Sequence, residues 1–149
     1  MALLRSTSFR ILQRASKILL PQARKITHHD LERESISDRI HRYECFFCRR
    51  DIDGWDVRQA MNDLAGMDMI PDPRIIISAL YACRRINEYS VAIRFLEMVR
   101  FKCTCTAEFD KLYPYILQEI GPTLEELGIE TPEVLGFHVP ELYLPELTA

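Results

Sequence analysis

The chain has 149 residues, 48% hydrophobic and 28% charged, with only 5 Gly and 8 Pro, which fits a single globular domain and excludes a collagenous or low-complexity chain. Its uninterrupted apolar runs are a few residues long, far short of the roughly 20 that span a bilayer. The net charge of −3 conceals two unlike parts: residues 1–29 carry six basic side chains and no acid, whereas the rest holds 13 Lys/Arg (19 minus 6) against 22 Asp/Glu, a net of −9 (13 minus 22).

The basic part, MALLRSTSFRILQRASKILLPQARK, places Arg10, Arg14 and Lys17 among Leu4, Ile11, Leu12, Ile18 and Leu19. A secretory signal needs a charge-poor apolar core, which these bases interrupt. A basic, Ser-containing, acid-free amphipathic segment is the composition of a mitochondrial transit peptide. Residues 1–29 are therefore read as that peptide, with cleavage between about Ala23 and Asp30. Residues 30–136 are read as the folded domain and 137–149 as an extended tail. Five cysteines in a reducing compartment are expected to be free, and the odd count argues against a complete disulfide framework.

The acidic part shows helical periodicity throughout. A loose helix is expected over 31–47 on Leu31, Ile36, Ile40, Tyr43 and Phe47. Asp53 caps the next, which carries Trp55, Val57, Met61 and Leu64 and ends at Gly66. Residues 73–86 give the clearest stripe, Ile75, Ile76, Ala79, Leu80, Cys83 and Ile86, behind Asp72 as cap and Pro73 at the first helical position. Val91, Ala92, Phe95, Leu96 and Val99 repeat it after a three-residue link, which predicts an antiparallel hairpin. Phe109, Leu112, Tyr113, Ile116, Leu117 and Ile120 form a further stripe that Pro114 either starts or kinks. Gly121-Pro122 is expected to end that helix and open a short one. Thr131-Pro132-Glu133 is expected to open a last turn. Five or six antiparallel helices with a pair period of about 36 residues resemble an α-solenoid of tetratricopeptide type.

Chemical signatures are sparse. Walker, Rossmann and His-Glu-x-x-His motifs are missing. Cys45 and Cys48 form a Cys-x-x-Cys pair on one helix face, but a zinc site usually needs a second pair, and Cys103 and Cys105 are poorly spaced to supply it. Cys83 on its apolar stripe reads as a buried, inert thiol. No His pairs with another at helical spacing, and no Ser or Cys nucleophile is read beside a His. No catalytic, cofactor-binding or metal-ligating residue is therefore assigned. Trp55, flanked by Asp53 and Asp56, is either a partner anchor or, more readily, a core tryptophan beside solvated acids. The net of −9 disfavours nucleic acid and anionic lipid.

The run Asp51-Ile52-Asp53-x-Trp55-Asp56-x-Arg58 opens a longer pattern. It continues through Asn62-x-Leu64, Met69-Ile70-Pro71-x-Pro73-x-Ile75-Ile76 and Ala82-Cys83-Arg84-Arg85-Ile86-Asn87. It closes with Tyr113-Pro114-Tyr115-x-x-Gln118-Glu119, Pro122-Thr123-Leu124-x-Glu126-Leu127-Gly128-Ile129 and Thr131-Pro132-Glu133. Over about residues 40–136 this is similar to cytochrome c oxidase subunit Va. The resemblance implies an all-α, right-handed superhelix imported into mitochondria. It also implies a peripheral, non-catalytic subunit on the matrix side of the inner-membrane oxidase. That complex passes electrons from cytochrome c to oxygen and pumps protons, with haem A and copper held by its other subunits. Tyr43 stands where the family favours Trp, Cys45, Cys48, Cys103 and Cys105 are not family features, and the tail runs past the usual end; these departures suggest a diverged isoform.

On this reading the partners are other oxidase subunits, and the contact candidates are Trp55, Arg58, Arg84, Arg85 and Tyr115. Charge reversal at Arg84-Arg85 is expected to weaken assembly while sparing helicity. The rival reading is a free mitochondrial helical-repeat adaptor that binds protein or RNA.

Overall fold

Ser35 opens the first helix. In the computed structural model, which describes residues 34–139, its hydroxyl accepts from the Asp38 N–H at 3.1 Å and satisfies one of the donors a helix start leaves free. The helix it caps, α1, runs Ile36–Phe47 and buries Ile40, Tyr43 and Phe47. It is shorter than the 31–47 expected because the cap fixes its start; residues 31–33 lie outside the described residues, as do the transit-peptide reading of 1–29 and the tail beyond 139.

A reciprocal capping box begins α2, Gly54–Gly66. Asp56 N–H donates to Asp53 at 2.9 Å and Asp53 N–H donates back to Asp56 at 3.3 Å. Helix α3, Pro73–Arg85, starts as anticipated, with Asp72 accepting from the Arg74 N–H and Pro73 in the first turn. It ends in a Schellman motif: Glu88 N–H donates to Cys83 C=O at 2.9 Å and Asn87 N–H to Arg84 C=O at 3.2 Å. Asn87 takes the left-handed position there, at φ 60°. Helix α4, Tyr89–Thr104, has no side-chain cap but buries Val91, Ala92, Ile93, Phe95, Leu96, Val99 and Cys103, so packing rather than capping secures it.

The fifth helix corrects the sequence reading. Neither Pro114 nor Gly121-Pro122 divides the chain: α5 is one helix of 19 residues, Phe109–Leu127, with both prolines inside it. The prolines remove the N–H donors to the Asp110 and Gln118 carbonyls. Both prolines and both acceptor residues are exposed, so water can serve the freed carbonyls. The opposite face buries Tyr113, Ile116, Ile120, Thr123 and Leu124, which offsets the loss. Gly128 at φ 64° ends the helix in a second Schellman motif. Thr131-Pro132-Glu133 opens the last turn, as expected: Leu135 N–H donates to the Thr131 C=O at 3.2 Å. Phe137 N–H reaches back to Pro132 C=O at 2.7 Å and Gly136 adopts φ 78°, so residues 132–138 form turns.

The described residues are thus all-helical, with five helices and no strand. Alternate helices start 37 (73 minus 36), 35 (89 minus 54) and 36 (109 minus 73) residues apart, close to the period read from the sequence. Helix α3 is central and packs against all four others; α1 and α5 pack on it, while α2 also contacts α4. One hydrophobic core joins all five.

Two helix ends are finished from a distance. Neither α1 nor α2 has a basic residue in its last turn. The Arg85 guanidinium of α3 donates to the Phe47 and Arg49 carbonyls at 2.6 and 2.9 Å, and Lys102 Nζ of α4 donates to the Met67 carbonyl at 2.6 Å. Carbonyls that lack intrahelical partners are served by cations from other helices.

Candidate partner-docking site

The five contact candidates do not form one cluster. Trp55 lies in the first turn of α2 and is 71% exposed, so the core reading of this tryptophan is overturned. The capping box explains why: Asp53 and Asp56 set the start of α2, and the stripe that faces the core is Val57, Ala60 and Leu64, which leaves position 55 on the outer side. Exposed tryptophans are costly to leave in water and are enriched where partners bind.

Arg58, one turn further, pairs with Glu88 at 2.9 Å. This pair links α2 to the α3–α4 link and crosses directly over Gly54. A Cβ at position 54 would stand 2.7 Å from the Glu88 Oε1 and 3.1 Å from an Arg58 guanidinium nitrogen. A side chain at position 54 would therefore push the Arg58–Glu88 pair aside.

Next to this pair is a small depression of about 60 Å³ lined by Cys83, Arg84, Asn87, Glu88, Tyr89, Ala92, Leu127 and Ile129. It brings the end of α3, the start of α4 and the end of α5 together. Arg84 supplies a cation on its rim, and Leu127 and Ile129 supply apolar wall. Tyr89 is 52% exposed; the sequence reading placed it in a connecting loop and missed it. Asn87 was the available signal, since Asn just past an apolar stripe marks a left-handed helix end. Asn87→Val is expected to lower stability by about 1–2 kcal/mol, because a β-branched side chain resists positive φ. Thermal denaturation checks this, and Asn87→Gly should show no such loss.

Arg85 points away from the depression, to the end of α1. Reversal of both arginines would therefore disturb the α1 end as well as a partner, and Arg84→Glu alone is the clean probe. Its expected effect is weakened association with any partner bound at this face, with a stability loss of only about 1 kcal/mol from an acid in the last turn of α3. Tyr115 is exposed on α5, but twelve residues before Leu127, which at 1.5 Å per residue is about 18 Å along the helix. It does not join the other candidates.

At the far end of the domain, Glu133 accepts from the Tyr113 hydroxyl at 2.8 Å and pairs with Arg100 at 2.7 Å. Burial acts to raise its carboxyl, but hydrogen bonds from Tyr113, its own backbone, Arg100 and Thr131 outweigh it and hold the group below its ordinary value. Burial, then the hydrogen bond to Glu133, pushes the Tyr113 hydroxyl above its ordinary range. A carboxyl depressed in the folded state stabilises above its unfolded pKa and loses that contribution as the pH falls through the folded one. Glu133→Gln should accordingly be less stable near neutrality and lose less on acidification below about pH 4.3. Denaturant titrations at both pH values check this.

All five cysteines are free; Cys83 and Cys103 are buried, whereas Cys45, Cys48 and Cys105 are exposed. Burial, with the negative charge of Glu88, pushes the Cys83 thiol up to about 11, which matches the inert role read from its stripe. One pairing was missed in the sequence: Cys45 Sγ lies 3.5 Å from Nε2 of His41, four residues earlier on α1. Among the described residues, no three His, Cys, Asp or Glu side chains form a group that could hold a metal ion.

Comparison with known proteins adds family. The model for "Cytochrome c oxidase subunit Va" matches residues 32–137, which takes in nearly all of the described domain. The chain is 48% identical over 98 residues to "Cytochrome c oxidase subunit 5A, mitochondrial" of Caenorhabditis elegans, covering 66% of this chain and 56% of that protein. It is 50% identical over 111 residues to the Drosophila melanogaster protein of the same name, covering 74% and 73%. The Rattus norvegicus counterpart is 48% identical over 95 residues, covering 64% and 63%. The match thus spans less than two thirds of the worm and rat proteins and about three quarters of the fly protein. On the strength of the family match across its helical domain, the chain belongs to the cytochrome c oxidase subunit Va family.

Proposed function

We propose that this chain is a peripheral, non-catalytic subunit of mitochondrial cytochrome c oxidase, docked on the matrix side of the inner membrane. The observation that carries the reading is the family match over residues 32–137. No helix among the described residues is long and apolar enough to cross a membrane, which is compatible with docking on the membrane domain. In this reading haem A and copper are held by other subunits, and this chain contributes shape and charge. The docking end is the start of α2 with the depression beside it. Trp55 is the aromatic anchor, Arg84 the exposed cation, and Arg58 with Glu88 the brace that holds the two together. Arg85 and Tyr115 are more distant contact candidates. Complementary charge speeds encounter and selects the partner, while a buried aromatic supplies most of the binding energy.

The same reading makes the fold a right-handed superhelix of tetratricopeptide kind. The packing of α1 and α5 on α3, the contact of α2 with α4 and the 35 to 37-residue spacing of alternate helices support it.

The test is a native gel of detergent-solubilised mitochondria, probed for this chain and for haem A absorbance. Comigration in one large band is expected. A small haem-free species alone would overturn the proposal.

A further inference from the structure

His41, Cys45 and Cys48 fall at i, i+4 and i+7 on α1, one side of the helix, and all three are exposed. The opposite side is anchored by Ile40, Tyr43 and Phe47, so this row cannot turn inward. None of the three lines the depression. Cys45 Sγ lies 3.5 Å from His41 Nε2 and 3.9 Å from Nδ1, within S–H···N range. With Nδ1 protonated, Nε2 can take the thiol proton.

The charge around the row is mostly positive. Arg42, Arg49 and Arg50 flank the two thiols in sequence, although Arg49 is paired with Asp51 at 2.7 Å. Of the two acids on α1, Glu44 is taken up by Arg74 at 2.9 Å, and Asp38 lies toward the far end of the helix. An imidazole within hydrogen-bond reach of an exposed thiol can act as its general base during attack.

We propose that this row is a thiol–disulfide exchange site, with Cys45 as attacking thiol, His41 as its proton acceptor, Cys48 as resolving thiol, and an anionic peptide disulfide of the glutathione class as reagent. The Cys45 proton passes to His41 Nε2. The Cys45 sulfur attacks one reagent sulfur, the reagent S–S bond breaks, and a mixed disulfide forms. One glutathione leaves as thiolate and takes up the proton from His41. Cys48 then gives its proton to water and attacks the Cys45 sulfur. The mixed disulfide breaks, a Cys45–Cys48 disulfide forms, and the second glutathione thiolate leaves and is protonated. Two protein thiols are oxidised and one reagent disulfide is reduced to two thiols. Positions three apart on a helix hold their Cβ atoms about 5–6 Å apart, wider than the roughly 3.8 Å of a disulfide. The second step therefore needs the last turn of α1 to loosen at its C-cap, Cys48, which means release of the Arg85 hydrogen bonds to the Phe47 and Arg49 carbonyls. This inference does not depend on the oxidase reading.

The experiment uses the reduced full chain and glutathione disulfide, with mass-spectrometric mapping of each cysteine over time. Cys105, exposed and at the C-cap of α4, is the internal control. Cys45 is expected to react about tenfold faster than Cys105 or more. His41→Gln should slow Cys45 to the control rate and leave Cys105 unchanged. Cys48→Ser should accumulate the mixed disulfide, which the unaltered chain converts to an internal disulfide. Equal rates at Cys45 and Cys105, or a Cys45 rate indifferent to His41→Gln, would overturn the attacking role. A mixed disulfide that persists in the unaltered chain would overturn the resolving role. Circular dichroism of each variant confirms that the helices are intact, so neither result can be ascribed to unfolding.

Discussion

Leu80→Ala is expected to destabilise the chain by about 2–5 kcal/mol, the largest effect of any single substitution considered. Leu80 is fully buried on α3, the helix that touches all four others, so the cavity cannot be closed by movement of one neighbour. Loss of transfer energy and of packing contacts therefore add. For a domain of this size each kcal/mol moves the melting temperature by roughly 4–8 °C, so the midpoint should fall by about 8 °C or more. Thermal unfolding followed at a helical wavelength is the measurement. A shift within a degree or two would show that α3 is not the central support. Ser78→Ala, at a half-buried position on the same helix, removes one hydroxyl and should move the midpoint far less.

Trp55→Ala should do the opposite: spare the fold and, on the proposed function, weaken incorporation into the oxidase. The side chain is 71% exposed, so its loss should change stability by no more than about 0.5 kcal/mol. If it is the anchor of the docking end, truncation should cost about 2 kcal/mol or more of binding, which is roughly thirtyfold in affinity. The readout is the fraction of the chain in the large haem-containing band, taken beside a melting curve of the same variant. Full incorporation would remove Trp55 from the interface. Failed incorporation together with a lowered melting point would reassign it to the fold.

Much of the helical content is legible because its signals are local. Asp53 and Asp72 cap α2 and α3, and the apolar stripes of α3 and α4 fall at helical spacing. These depend on residues within one or two turns of each other. The prolines of α5 show where local rules mislead. Pro114 and Gly121-Pro122 are strong breakers by themselves. They are accommodated because both lie on the exposed face while Tyr113, Ile116, Ile120, Thr123 and Leu124 are buried on the other. Only packing reveals that balance. The turn that Thr131-Pro132-Glu133 opens was legible for the same local reason as the caps: Leu135 N–H donates back to the Thr131 carbonyl at 3.2 Å.

The candidate site was legible residue by residue but not as a site. Composition and spacing single out Trp55, Arg58, Arg84, Arg85 and Tyr115 but cannot show which of them meet. Arg84 and Arg85 are adjacent in sequence, yet one borders the depression and the other serves the end of α1. Successive helical residues point about 100° apart, so each faces a different neighbour. Exposure of Trp55 was likewise undecidable, since a large aromatic beside acids suits either a core edge or an interface.

By itself, the sequence determined that the described domain would be helical, where most helices begin, and, through its extended pattern of residues, to which family it belongs. These follow from short-range backbone chemistry and from a long pattern held over most of the chain. The tertiary structure decided that α5 is continuous and that α1 and α2 are capped by Arg85 and Lys102 from other helices. It also decided that Trp55 is outside the core and that the Arg58–Glu88 pair crosses over Gly54. Each of these depends on groups some 30 or more residues apart in the chain, or on which side of a helix is covered. Such relations exist only once the helices are packed, because water is then excluded from one face and distant polar groups come within hydrogen-bond distance.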